Sequence, residues 1–109
     1  PSVTLKKLGD LRNKFPTNPG IPAQMGLVSA ELRNYDEAIQ YFEIAASLEP
    51  NNPSHAYNMA IIADRAGRSA QAIKLYEQAL QLDATYGSSA TSLPREQIYD
   101  RLVVLRRKV

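Results

Sequence analysis

Few side chains in this sequence could take part in acid-base or ligand chemistry, and their spacing argues against most of it. His55 is the only histidine. It falls one turn into a helical pattern, at a position the pattern turns toward solvent, and a general base or ligand needs an oriented partner that no neighbour supplies. Asp36 and Glu37 are adjacent carboxylates, but successive helix residues project in different directions. Their place in a first helical turn, at the positive end of the dipole, accounts for them without catalysis. The sequence has no phosphate-cradling glycine loop, metal-ligand spacing or nucleophile elbow. With no cysteine it can form neither a disulfide nor a thiolate site. The expectation is a protein that is not an enzyme and uses no cofactor and no metal.

Charge narrows the partners further. A formal net charge of +2 is too small to argue for nucleic acid, although Arg101, Arg106, Arg107 and Lys108 gather at the end of the chain. No aromatic platform is interleaved with these cations as a single-strand binder would require, and positive charge is favourable near a helix C-terminus in any case. Nucleic acid and anionic membrane are therefore disfavoured partners. The chain of 109 residues, 44% hydrophobic and 22% charged, has ordinary globular composition and can bury one modest core. No apolar run approaches the roughly 20 residues that span a bilayer, and the opening Pro1-Ser2-Val3-Thr4-Leu5-Lys6 does not read as a signal peptide. The compartment stays open, with a cytoplasmic setting weakly preferred.

The elements that position these residues repeat. The stretch from Asn34 to Pro50 returns 34 residues later as Arg68 to Ala84, with Ala38, Phe42, Ala45 and Leu48 becoming Ala72, Tyr76, Ala79 and Leu82. A period of this length with two helical patterns per unit marks a stacked helix-turn-helix array, in which a unit cannot bury its apolar face alone. Before it, Leu5, Leu8, Leu11 and Phe15 predict one stripe of a helix from Ser2 to Lys14, stopped by Pro16 and Pro19. A second helix, opening near Gly20 to Pro22 and running to about Arg33, contains Gly26. That glycine costs about 1 kcal/mol relative to alanine, so a close helix crossing is expected there. Asn52 is a candidate N-cap with Pro53 at the first position of a fourth helix, which Gly67 ends in the left-handed region. Ser69 is a candidate cap for the fifth. Tyr86 to Ser92 reads as a loop, and Pro94 and Glu96 open a last helix with Ile98, Leu102 and Leu105 on one stripe and arginines on the other face.

Taken together these residues resemble the tetratricopeptide repeat family. Gly26, Tyr35, Ala38, Phe42, Ala45 and Pro50 stand at the family's small, aromatic and proline positions in one unit, and Ala60, Gly67, Ala72, Tyr76 and Ala79 do so in the next. The early tryptophan is absent, with Pro22 and Ala56 in its place. Ser29 and Ala63 replace a usual aromatic, and Ala84 replaces the second closing proline. The resemblance implies an all-α fold, a right-handed superhelical stack of antiparallel helix pairs with about six helices. Its parts would be a half repeat at 1–18, repeats at 19–52 and 53–86, a loop at 87–93 and a capping helix at 94–109, all in a single domain. Beginning in mid-repeat, the chain reads as a piece of a longer protein, and any targeting segment would lie outside it.

The same resemblance implies a groove lined by the first helix of each repeat and filled by a peptide segment of a partner protein. By position its residues would be Ala23, Leu27, Ala30 and Glu31 from the first repeat, and Tyr57, Asn58, Ile61, Asp64 and Arg65 from the second. Members that grip a terminal carboxylate use lysine and asparagine where this chain has Ala23, Leu27 and Ile61, so a mixed groove with apolar contacts and an Asp64-Arg65 polar pair is expected instead. The plain alternatives are that Leu27 and Ile61 are core residues and that Tyr57 packs on the neighbouring helix. A competing role is structural, with self-association through the ends or the capping helix.

Overall fold

The computed structural model describes residues 2–87 and 93–109, and among these every regular element is an α-helix. They run α1 (Ser2–Lys14), α2 (Gly20–Glu31), α3 (Tyr35–Leu48), α4 (Pro53–Arg65), α5 (Ser69–Tyr86) and α6 (Arg95–Lys108). The chain divides into two compact units, Pro1–Pro50 and Asn51–Val109. Of the expected loop, residues 88–92 lie outside the described residues.

In the first unit α2 packs against both α1 and α3. The α2–α3 contact is made by small residues. A Cβ placed on Gly26 would come within 2.6 Å of the Phe42 ring and 3.2 Å of the Ala38 carbonyl oxygen, so the glycine is what lets the helices approach. Ala38, Phe42 and Ala45 are completely buried on the facing side of α3. Pro22 is tolerated in the first turn of α2, where a missing N–H costs little, and it is buried. Asn18 supplies a local tie the sequence reading missed, its Oδ1 accepting the Gly20 N–H at 3.0 Å. The α1 stripe is only partly used. Leu5 and Leu8 are half-buried, while Leu11 and Phe15 stand 43% and 55% exposed.

The second unit repeats the arrangement and adds a helix. α4 packs against α5 and α5 against α6. Ala56, Ala60 and Ala63 of α4, Ala72, Tyr76 and Ala79 of α5, and Ile98, Leu102 and Leu105 of α6 form one core, with Leu93 at its edge. Asn52 caps α4 as expected, its Oδ1 accepting the Ser54 N–H at 2.9 Å with Pro53 next in line. Ser69 does not cap α5: the N-cap residue is Arg68, whose side chain makes no capping hydrogen bond. α5 also runs on to Tyr86 and is longer than its counterpart α3. The reason is visible one period back, where Pro50 follows the end of α3 and Ala84 now permits helix.

Both first helices end alike. The Gly67 N–H reaches the Asp64 carbonyl at 3.0 Å and the Arg68 N–H the Ala63 carbonyl at 2.9 Å. One period earlier the Arg33 N–H reaches the Ala30 carbonyl at 3.0 Å and the Asn34 N–H the Ser29 carbonyl at 2.9 Å. This is the paired-bond helix end whose pivotal residue must be left-handed. Gly67 adopts φ +78° and Arg33 φ +63°, so the first repeat places a side-chain-bearing residue where the second has glycine. Arg33→Gly should raise stability by about 1 kcal/mol and Gly67→Ala should lower it by a similar amount. Urea midpoints measure both, and opposite signs would contradict the assignment.

Candidate functional site

The residues expected to meet a partner lie on the outward stripes of α2 and α4. On α2, positions 23, 27, 30 and 31 share one side of the helix. Ala23 and Ala30 are half-buried, while Leu27 is 44% exposed and Glu31 is exposed. Leu27 is therefore not a core residue. The opposite side of α2 carries the buried Pro22, Met25, Gly26 and Ser29. Ser29 is wholly buried and its Oγ has no hydrogen-bond partner among the described residues.

On α4, Tyr57, Asn58 and Ile61 are half-buried and Arg65 is exposed. Tyr57 lies against α5, its ring centroid 6.3 Å from that of Tyr76 with the planes tilted by 53°. It is thus both packed on a neighbour and open to solvent on its other side. Ile61 rests partly on the core cluster. His55, expected to face solvent, is instead buried. It stands on the other side of α4, with Met59 and Ile62, which are also buried.

Asp64 is paired, but with Arg101 of α6 rather than with Arg65. The guanidinium donates from Nε and Nη2 to the two carboxylate oxygens, each at 2.6 Å. The Tyr76 hydroxyl donates to the same carboxylate at 3.3 Å. The Arg101 hydrogen bonds hold the Asp64 carboxyl below its ordinary range despite partial burial, which acts the other way. Tyr76 is pushed up to about 12, first by burial and then by the Asp64 charge beside it. Two further arginines of α6 tie it to α5: Arg95 to Asp83 at 2.9 Å and, at the exposed rim, Arg106 to Glu77 at 3.2 Å. The sequence showed the arginines of α6 but not their partners, which lie between 12 and 37 residues away.

Among the described residues no group of three or more histidine, cysteine or carboxylate side chains could hold a metal ion. Among them, too, no helix is long and apolar enough to cross a membrane.

A sequence model of the tetratricopeptide repeat matches residues 29–90. The chain belongs to the tetratricopeptide repeat family, whose class is that of protein-interaction modules. Its fold is similar to that of the type III secretion translocator chaperone SycD of Yersinia enterocolitica, with a TM-score of 0.82 over 95% of this chain and 70% of that one, at 16% sequence identity. A comparison with the curated proteins finds no match.

The Tyr76 hydroxyl yields a pH dependence. A group whose folded pKa is raised contributes stability that is intact below its unfolded value and lost as pH rises through the folded one. Stability should therefore fall between pH 10.0 and about 12. The fall should be shallower in Tyr76→Phe, which shares every other titrating group, and superimposable urea-midpoint profiles for the two proteins would contradict the burial of this phenol. Asp64 acts in the opposite range, since its stabilisation is present above its ordinary value of 3.8 and is lost as pH falls through the lower folded value.

Proposed function

We propose that the chain is a non-catalytic docking module that binds a segment of a partner protein on the outward stripe of a first repeat helix, α4. Tyr57 is the observation that carries this reading. Its ring leans on that of Tyr76, it packs against the core as Ile61 one turn on does, and the half-buried side chain keeps part of its surface in solvent. A rigid aromatic with few rotatable bonds gives large contact area at small entropic cost, which is the character of an interface anchor. In the other unit Leu27, on the corresponding stripe of α2, is an apolar residue open to solvent in the same way. The absence of cationic residues at Ala23, Leu27 and Ile61 favours side-chain recognition over capture of a terminal carboxylate. Likeness in fold to a secretion chaperone fits a role in holding a segment of another protein.

Self-association is the second reading. It is favoured by Tyr99, Val103 and Val109 of the last helix and its end, which are 52%, 50% and 73% exposed. A sedimentation coefficient that stays constant as concentration rises would exclude it.

The docking reading is tested by mapping a segment captured by the chain and titrating that synthetic peptide against the parent and Tyr57→Ala. Truncation should weaken binding by about tenfold or more and lower stability by only about 1 kcal/mol through the lost ring contact. Unchanged affinity would remove Tyr57 from the docking surface.

A further inference from the structure

The second unit carries a charge pattern that the docking reading does not use. α4 and α6 both rest on α5 and are joined by the Asp64–Arg101 pair. On α4, Tyr57, Ile61 and Arg65 succeed one another at four-residue intervals on the outward side. On α6, Arg101, Val104 and Lys108 share the flank turned toward that pair. Asp64 is the only carboxylate of α4, and both its oxygens are taken by Arg101.

The cations are not balanced in the same way. Arg101 spends Nε and Nη2 on Asp64, and its Nη1 makes no hydrogen bond among the described residues. Arg65 and Lys108 have no ion pair among them either. The side chain of Arg101 is 39% exposed, so its remaining donors face water. The carboxylates of α6, Glu96 and Asp100, do not offset this charge on the α4 side, because Asp100 lies about 100° round the helix from Arg101 and Glu96 farther still. The result is an apolar pair, Tyr57 and Ile61, that leads along α4 toward three cations at its C-terminal end, Arg65, Arg101 and Lys108, with Val104 on the same flank of α6 and the one acid already paired.

We propose that this face of α4 and α6 binds a segment of a partner protein in which an apolar or aromatic side chain adjoins carboxylates on one side. The inference rests on the docking reading above and adds to it the charge of the partner and a contribution from α6. Carboxylates would accept from Arg101 Nη1, Arg65 and Lys108, while an apolar residue to one side of them covers Tyr57 and Ile61. A protein segment fits better than a nucleic acid, because the exposed aromatic of α6, Tyr99, stands on the side of the helix away from Arg101 and offers no base a stacking surface beside these cations.

The experiment uses the whole chain and three probes: a capped peptide in which a tyrosine and a leucine are followed by glutamates, the same peptide with glutamine for glutamate, and an oligothymidylate. The glutamate peptide should bind, its affinity should fall with added salt, and the glutamine peptide should bind about tenfold more weakly or worse. Arg65→Glu and Lys108→Glu, both exposed and outside the core, should each weaken the glutamate peptide about fivefold or more while lowering the melting temperature by only a few degrees through the cation lost at a helix end. Equal binding of the two peptides, lost in both cases in Tyr57→Ala, would overturn the acidic partner and leave the docking surface standing. Binding indifferent to both charge reversals, or no binding of the glutamate peptide, would overturn the proposal. So would tighter binding of the oligothymidylate, which would assign the cations to phosphate.

Discussion

Each helical hairpin in this chain depends on how closely its two helices can approach, and in the first repeat that distance is set by one glycine against one phenylalanine. Gly26 leaves room for the Phe42 ring, and Ala38 and Ala45 keep the flanking turns equally thin. A side chain larger than hydrogen at position 26 would have to push the ring away, and tightly packed interiors give little room for such shifts. With the crossing fixed, the two sides of α2 follow. Pro22, Met25 and Ser29 turn inward, and Leu27 and Glu31 turn outward. The exposed stripe of α2 is a consequence of the crossing rather than a separate feature.

The second repeat solves the same problem with different residues. Alanines at 60, 63, 72 and 79 stand where helices meet, and Tyr76 occupies the place of Phe42 one period earlier. The exchange of phenylalanine for tyrosine has a consequence for the polar structure. A buried hydroxyl needs a partner, Tyr76 finds it in Asp64, and Asp64 in turn holds Arg101. Through that chain of contacts the α6 helix is fastened to α4 as well as to α5. Apolar contact of Ile98, Leu102 and Leu105 supplies the greater part of its attachment, since half-exposed ion pairs are weak by themselves.

Much of this was legible in the residues because it is local or periodic. Proline and asparagine placed the start of α4, the spacing of small residues placed the crossings, and the cost of a helical glycine pointed to close packing at Gly26. What could not be read depends on contacts between positions distant in sequence. Nothing in the pattern joins Arg101 to Asp64, and an acid next to an arginine in sequence, as at Asp64 and Arg65, suggested a nearer partner. His55 was misplaced for a related reason: a polar residue near a helix start reads as solvent-facing unless the whole surroundings of that helix are known. The left-handed Arg33 escaped because the sequence signal for that conformation is glycine, and only the second repeat supplies one. The groove residues came from the resemblance to a family. The structure shows where each lies, with Leu27 open, Ile61 partly packed and Tyr57 half-covered.

The most direct measurement is the stability of Gly26→Ala by urea unfolding. Alanine is the better helix former by about 1 kcal/mol, so at a helix position with open space the substitution would stabilise the protein. The close crossing predicts the reverse, a loss on the order of 1 to 3 kcal/mol as the new methyl meets the Phe42 ring. A stabilised Gly26→Ala protein would show that the helices do not meet there, and the assignment of inward and outward faces would fall with it.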